Sequence, residues 1–202
     1  MKRVLWDVDT QVDFVEPAGK LYVPGAERAR AAMARLVEAA RAAGLPHVAS
    51  ADDHELTDPE ISAEPDFATG WPPHCLRGTP GAMRIPETQQ ADPVVLGETR
   101  VPAEWLHGRE FLLLKKTYDP FTNPNADPLL ELLDPEEIVL FGVASDVCND
   151  AAIRALRSRG RAVAYVEEAS RGIDDARTTS CTAAWRAAGV RFATLDQVTT
   201  EL

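Results

Sequence analysis

Cys148 is the residue of this chain whose position most clearly suggests chemistry. It follows the apolar run 137–143 and precedes a helical pattern, so it is expected where a strand turns sharply into a helix. Free backbone N–H groups and the positive end of a helix dipole surround a thiol at such a turn, and both favour the thiolate. The same N–H groups can hold an oxyanion. Most free cysteines are inert, as we expect for Cys181 inside a helical pattern, but the strand-to-helix position predicts a nucleophile at 148.

Possible partners for this thiol follow two other apolar runs. Asp9 comes directly after the run 3–8, and Lys115 ends the run 111–115. In an open parallel sheet such residues meet at the rim where ligands bind. A thiol that attacks an amide needs a group that accepts its proton and later protonates the departing amine, which we predict for Asp9. Lys115 would stabilise charge between them; the structural alternatives are a turn cap for Asp9 and a solvated strand end for the lysine.

A third group of reactive residues lies in a segment with little periodicity, 52–93, which is rich in Pro, Asp, Glu and Gly. Asp52 and His54 open the segment, and His74 lies further along it. Two histidines and a carboxylate form a typical set of ligands for a divalent metal ion. Long irregular segments inside a compact domain are usually functional. We therefore predict that 52–93 is a metal and substrate loop.

The elements that must position these residues are predicted from alternating strand and helix patterns. Repeated strand–helix units predict a single α/β domain over 1–202, with a mostly parallel six-stranded sheet and helices on both faces. The predicted strands are 3–8, 47–51, 111–115, 137–143, 162–166 and 190–194, and the predicted helices are 27–43, 127–133, 146–159 and 174–188.

Composition excludes several classes of partner. The formal net charge of −11 argues against nucleic acid and anionic membranes, which both require a basic surface, and leaves a small neutral substrate as the expected partner. Three widely separated cysteines do not suggest a disulfide framework. The apolar run near the N-terminus is too short for a signal peptide or a spanning helix, so a cytoplasmic location is expected.

Three motifs of the chain resemble those of the nicotinamidases within the isochorismatase-like cysteine hydrolase family. They are Asp9-Thr10-Gln11-Val12-Asp13-Phe14, Trp71-Pro72-Pro73-His74-Cys75 followed by residues 78–82, and Gly142-Val143-Ala144-Ser145-Asp146-Val147-Cys148. The resemblance implies the family's Rossmann-like three-layer fold. It also implies that Asp9 is the general acid and base, that Phe14 and Trp71 flank the substrate ring, and that the N–H groups of Ala144 and Cys148 form an oxyanion hole beside a cis peptide.

The resemblance also implies further site residues. Tyr118 and Phe121 follow Lys115 at the family's spacing, which favours Lys115 over Lys116 as the site lysine. One divalent metal ion is implied, with Asp52, His54 and His74 as ligands. The fourth position holds Glu60 where many members have histidine, and Glu64 is the alternative. A carboxylate there makes the site harder, which favours manganese or iron and leaves zinc open.

The function implied is a metal-containing amidohydrolase that converts a small heteroaryl carboxamide, such as nicotinamide, to the acid and ammonia through a thioester. A homo-oligomer is implied as well. Val147 stands where some nicotinamidases have histidine, which leaves the substrate less defined than the nucleophile. Two alternatives stay open. Asp7 and Asp9 resemble the start of a haloacid-dehalogenase-like phosphatase, although that family has Thr or Val where Gln11 stands; a catalytically silent ligand-binding domain could share the fold.

Overall fold

A single parallel sheet of seven strands forms the centre of the protein, seen in a computed structural model that describes residues 1–67 and 69–202. Its strand order is β3-β4-β2-β1-β5-β6-β7, and each neighbouring pair runs parallel. The strands are β1 (Arg3–Val8), β2 (His47–Asp52), β3 (Val94–Leu96), β4 (Glu110–Lys115), β5 (Glu137–Val143), β6 (Ala162–Arg171) and β7 (Arg191–Phe192).

The α/β class and the parallel sheet are confirmed, but the prediction of six strands is wrong by one. The additional strand is β3, a three-residue strand at the sheet edge beside β4. A run this short gives no periodic signal, because two or three residues cannot show alternation. Strand β6 extends five residues beyond the predicted end at 166, through the exposed pair Glu167 and Glu168, whose polarity hid the continuation.

Helices cover both faces of the sheet. They are α1 (Val12–Val15), α2 (Arg30–Ala42), α3 (Ala126–Leu133), α4 (Cys148–Ser158), α5 (Asp175–Ala187) and α6 (Leu195–Glu201). The pattern predicted as one helix over 27–43 contains a 3-10 turn, Ala26–Ala29, before α2. Helix α6 was not predicted; Thr194 caps it in a box with Gln197. Among the described residues, no helix has the length and apolar character needed to cross a membrane.

Two hydrophobic cores lie on the two faces of the sheet because neighbouring residues of a strand point in opposite directions. Leu5 of β1 packs into the core beneath α2 and α6, whereas Trp6 packs into the core beneath α3, α4 and α5. The arrangement is a three-layer α/β sandwich. Its cores fix the rim of the sheet where the strands end.

The central strands end side by side, and this register assembles the candidate site. Val8 of β1 pairs with Gly142 of β5, and Asp52 of β2 pairs with Lys115 of β4. Gly142 has φ of 125°, and a Cβ atom there would lie 2.1 Å from the Val8 carbonyl oxygen. Only glycine fits this close approach. The sequences that follow β1 and β5 are therefore held against each other at the rim.

Candidate active site

Lys115 joins the reactive residues at the rim. Its Nζ lies 2.8 Å from Asp9 Oδ2 and 3.9 Å from Cys148 Sγ, and it also pairs with the Asp52 carboxylate. All four side chains are buried. Burial lowers the pKa of Lys115, but the carboxylates of Asp52 and Asp9 outweigh this and raise it well above its ordinary value. The lysine is therefore a fixed positive charge between an acid and a thiol.

Lys116, the alternative lysine, lies outside this cluster. Its Nζ bonds to the Asp53 carbonyl oxygen and lies 3.1 Å from Asp58 Oδ2, and the side chain is partly exposed. Successive residues of a strand point to opposite faces, which explains why only one of the two lysines can reach the thiol. The structure thus brings Lys115 to Cys148 and turns Lys116 toward the loop.

Asp9 has an environment suited to proton transfer. It sits just beyond β1 with a φ of 52°, and the Ser50 hydroxyl donates to its Oδ1 at 2.7 Å. Burial raises the pKa of Asp9, and the Lys115 charge only partly offsets the effect. A carboxyl group whose pKa is raised can carry a proton closer to neutral pH. Ser50 was not foreseen, because a serine inside a buried strand has no distinctive spacing.

Cys148 is the first residue of α4, as the strand-to-helix turn predicted, but its electrostatics differ from the expectation. Burial raises the pKa of the Cys148 thiol well above its ordinary value; the positive charge of Lys115 opposes this shift, and the negative charges of Asp9 and Asp52 add to it. This direction is opposite to the one expected from the helix N-terminus. Because burial favours the thiol over the thiolate, a base that removes its proton would make the sulfur nucleophilic.

The turn before Cys148 leaves backbone donors near the thiol. The Val143–Ala144 peptide is cis, as the resemblance implied. The Ser145 N–H donates to the Arg171 carbonyl oxygen at 2.8 Å, and the Asn149 side chain donates to the Gly142 carbonyl oxygen at 3.0 Å, so the turn is anchored on both sides. Within the described part of the chain, the N–H groups of Ala144 and Cys148 have no hydrogen-bond acceptor. They are free to bind a substrate oxygen.

Asp52, His54 and His74 converge on one point. One potential ligand atom from each of the three lies within 4.8 Å of the others, and all three residues are buried. The Nε2 atoms of His54 and His74 lie 3.7 and 3.4 Å from Asp52 Oδ2. The His54 Nε2 atom has no hydrogen-bond partner, which is costly for a buried polar atom unless another ligand satisfies it.

The Nδ1 atoms of both histidines make hydrogen bonds of the kind that orient histidine ligands in metal sites. His54 Nδ1 lies 3.3 Å from Asp58 Oδ2, and His74 Nδ1 lies 2.8 Å from the Pro72 carbonyl oxygen. Hydrogen bonds from Nδ1–H leave the lone pair of each Nε2 directed at the cluster. Two imidazoles and one carboxylate fit a divalent ion such as zinc, manganese or iron.

Glu60 faces the same cavity as Asp52 and His74, and it is half-buried. Burial raises the pKa of its carboxyl group, and the negative charge of Asp52 raises it further. Its carboxylate does not belong to the tight group of three ligand atoms. Glu64 is exposed and does not line the cavity. Of the two candidates for a fourth ligand, the structure places only Glu60 beside the others.

Two side chains of the first motif hold the loop in place, a role that their spacing did not reveal. The buried Gln11 amide donates to the carbonyl oxygens of Asp52 and Ala82 at 2.8 Å each, and its Oε1 accepts from the Asp52 N–H at 2.7 Å. Asp13 Oδ2 accepts from the Cys75 N–H at 2.7 Å, next to His74. The motif that supplies Asp9 therefore also fixes the backbone of the potential metal ligands.

A cavity of about 340 Å³, including the solvent at its open edge, is lined by Asp52, Glu60, His74 and Cys148. Phe14 and Trp71 line it together with Cys148, and both aromatic side chains are almost completely buried. The Phe14 ring lies 5.3 Å from the His74 ring, measured between centroids. A flat ring of the size of pyridine is the shape that such an aromatic-lined cavity suits.

Asp7, which favoured the phosphatase alternative, lies outside this cavity. Its carboxylate is buried, pairs with Arg84, and accepts from the Thr10 hydroxyl at 2.9 Å. His47 Nε2 lies 3.4 Å away. Burial alone would raise the pKa of Asp7, but Arg84 and His47 together lower it by more, so the pKa lies below its ordinary value. An aspartate locked in an internal ion pair cannot serve as a phosphoryl acceptor beside Asp9.

Comparisons with known proteins agree on one family. The isochorismatase domain family model matches residues 4–197. The nicotinamidase/pyrazinamidase of Mycobacterium tuberculosis strain H37Rv is 31% identical over 198 residues, covering 94% of this chain and 97% of its own.

Two solved structures share the fold. A pyrazinamidase of Pyrococcus horikoshii in complex with zinc superposes with a TM-score of 0.75 at 21% identity, covering 96% of this chain and 99% of its own. An N-carbamoylsarcosine amidase from Thermoplasma acidophilum gives a TM-score of 0.75 at 25% identity, covering 97% and 98% of the two chains.

Proposed function

The chain belongs to the isochorismatase domain family, and from this premise we propose that it is a cysteine amidohydrolase acting on a small heteroaryl carboxamide such as nicotinamide. The observation that carries the proposal is the buried cluster in which Lys115 Nζ contacts both Asp9 and Cys148 at the wall of an aromatic-lined cavity. The similarity to a nicotinamidase/pyrazinamidase over nearly the whole chain supports the choice of substrate class.

The first half of the proposed reaction forms a thioester. Asp9 accepts the proton of the Cys148 thiol, which the raised pKa of that thiol makes necessary, and the sulfur attacks the carboxamide carbon. The free N–H groups of Ala144 and Cys148 hold the oxyanion. Asp9 then gives its proton to the amide nitrogen, the C–N bond breaks, and ammonia leaves. Lys115 keeps the charge of the cluster balanced during these steps.

The second half hydrolyses the thioester. A water molecule attacks the acyl carbon while Asp9 accepts one of its protons, and the same N–H groups hold the second oxyanion. The C–S bond breaks, the carboxylic acid forms, and Asp9 returns the proton to sulfur. The carboxyl group of Asp9 thus acts alternately as base and acid, which its raised pKa favours.

A divalent ion would be held by Asp52, His54 and His74, with Glu60, which lines the same cavity, as the proposed fourth ligand. When bound, it would supply a Lewis acid that orients a pyridine nitrogen and polarises water. Phe14 and Trp71 would flank the substrate ring and exclude bulk water from the thioester. The loop 52–93 would act as the metal and substrate loop. A homo-oligomer and a cytoplasmic location stay predictions.

The proposal is tested by ammonia release from nicotinamide with the zinc- or manganese-loaded protein. Cys148→Ser is expected to lower kcat by at least about 1,000-fold, because a serine hydroxyl is a weaker nucleophile than a thiol and is far less acidic, so the Asp9 carboxylate is too weak a base to activate it. Cys181→Ser is the matched control, since that cysteine lies on α5 away from the cavity, and it should leave the rate unchanged. Undiminished ammonia release by Cys148→Ser would refute the proposed nucleophile.

A further inference from the structure

A second cavity opens at the mouth of the candidate active site. Trp71, Tyr118 and Val147 line both the inner cavity, of about 340 Å³, and this outer cavity, of about 690 Å³, each volume including the solvent at the open edge. The groups assigned to the reaction, Cys148 and the N–H groups beside it, lie at the inner cavity, and neither Cys148 nor Ala144 lines the outer one. The shared residues mean that the two cavities adjoin, so an extension of a substrate held in the inner cavity has the outer cavity as its neighbouring space.

One wall of the outer cavity is aromatic. Phe67 and Tyr118 are 56% and 48% exposed, so both present a large part of their rings to solvent. The Phe67 ring stands edge-on against Trp71, which lines both cavities, at 6.1 Å between centroids. Single exposed aromatic residues need no explanation, but two on the rim of one cavity form a surface that can bind another ring.

A second part of the lining, here called the arginine wall, consists of Arg154 and Arg177, whose charges are already balanced. Arg154 Nε lies 2.7 Å from Asp150 Oδ2, and Arg177 pairs with Asp146 at 3.2 Å. A charged extension of a substrate would find no unpaired counter-charge here. Guanidinium groups held in ion pairs still present flat faces that stack on aromatic rings. The wall therefore suits an uncharged aromatic group.

We propose that this outer cavity is a second subsite, which binds a neutral aryl extension of the carboxamide substrate between the Phe67 and Tyr118 rim and the arginine wall. The inference rests on the proposed amidohydrolase function and narrows its substrate class to carboxamides with two linked rings. Val147 lines both cavities, and its apolar side chain places no polar group between them that a neutral aryl extension would have to desolvate.

The test compares kcat/KM for nicotinamide with kcat/KM for its 5-phenyl and 6-phenyl derivatives and for 5-carboxynicotinamide. At least one phenyl derivative should be used as well as nicotinamide or better, and the carboxylate should not be. Phe67→Ala should lower the ratio of phenyl derivative to nicotinamide by about 3- to 10-fold, through KM, which is the range of a lost aromatic contact. Leu132→Ala, which truncates an exposed apolar residue on α3, is the matched control and should leave the ratio unchanged.

If Phe67→Ala disturbs the loop, the same kcat/KM ratio is measured with Arg154→Ala, which alters the arginine wall at an exposed position of α4. The inference is overturned if both phenyl derivatives are refused while nicotinamide is hydrolysed, or if neither wall variant changes the ratio. Calorimetric binding of the phenyl derivatives to Cys148→Ala measures the subsite without turnover. If no amide is hydrolysed, the proposed function fails, but the binding experiment still tests the subsite. Binding of a phenyl derivative to Cys148→Ala that is weakened by adding Phe67→Ala supports the subsite, and binding that is absent or unchanged by Phe67→Ala overturns it.

Discussion

Replacing Asp58 with alanine should weaken metal binding although it leaves all the proposed metal ligands in the chain. Asp58 Oδ2 accepts from three donors: the Glu55 N–H at 2.8 Å, Lys116 Nζ at 3.1 Å and His54 Nδ1 at 3.3 Å. The last of these orients the His54 ring and makes its Nε2 more basic. Removal of such a partner from a ligating histidine usually lowers metal affinity by about 10- to 100-fold.

The contacts of Asp58 indicate that the loss of metal affinity lies at the lower end of that 10- to 100-fold range. The 3.3 Å contact is longer than the usual N–H···O distance of about 2.9 Å, and Lys116 draws on the same oxygen. We therefore expect Asp58→Ala to lower affinity for zinc and manganese by about 10-fold, or about 1.4 kcal/mol, and Asp58→Asn to lose less. Competition with a colorimetric chelator measures both constants, and thermal unfolding checks that the fold is intact.

Asp53→Ala provides the matched control. Asp53 and Asp58 have the same side-chain exposure of 16%, but the Asp53 carboxylate pairs with Arg77 and does not contact a histidine. Its replacement should change the metal affinity less than 2-fold. Equal losses in the two variants, or no loss in Asp58→Ala, would refute the reasoning that the carboxylate acts through His54.

Three further changes test other contacts of the site. Lys115→Met leaves two buried carboxylates without a cation, so urea unfolding should show a loss of about 3 to 5 kcal/mol, and a loss below about 1 kcal/mol would contradict the role of the lysine. Gln11→Leu removes three hydrogen bonds, two buried ones to the Asp52 backbone and a partly buried one to Ala82, and should cost about 3 kcal/mol of stability with a parallel loss of metal affinity; intact affinity would refute the role of Gln11 in holding the loop. The pKa of Asp7 is lowered in the folded state, so its pairing with Arg84 stabilises the protein above about pH 3.9, and this stabilisation is lost as the pH falls through the lower pKa of the folded state. Asp7→Asn should therefore reduce the fall in the free energy of unfolding between about pH 5 and pH 3, measured by urea unfolding. An unchanged slope would contradict this role of Asp7.

Local patterns were sufficient to predict the positions of the main reactive groups. Buried strands of a parallel sheet are continuous apolar runs, so their ends are visible in sequence, and Asp9, Asp52, Lys115 and Cys148 all lie at or just past such ends. Because the carboxyl ends of parallel strands lie at the same edge of a sheet, these residues are expected to lie together even when the strand order is unknown. Short elements escaped prediction, since β3 and α1 have too few residues to show a period.

The electrostatics and the support of the site could not be predicted in the same way. The pKa of the Cys148 thiol depends on burial and on carboxylates from two other strands, which a local helix-dipole argument does not include. The roles of Gln11, Asp13 and Ser50 depend on contacts between residues 41 to 71 positions apart in the chain. Asp7 appeared reactive in sequence because Arg84, which neutralises it, lies 77 positions away.

The central claim, a thioester on Cys148, is tested most directly by rapid quenching of the metal-loaded protein with nicotinamide followed by intact-mass and peptide analysis. The account predicts a nicotinoyl adduct on the peptide that contains Cys148, absent from Cys148→Ala, appearing as the first equivalent of ammonia is released. Continued ammonia release with no acyl adduct on that peptide at any quench time, or an adduct on Cys75 or Cys181 instead, would contradict it.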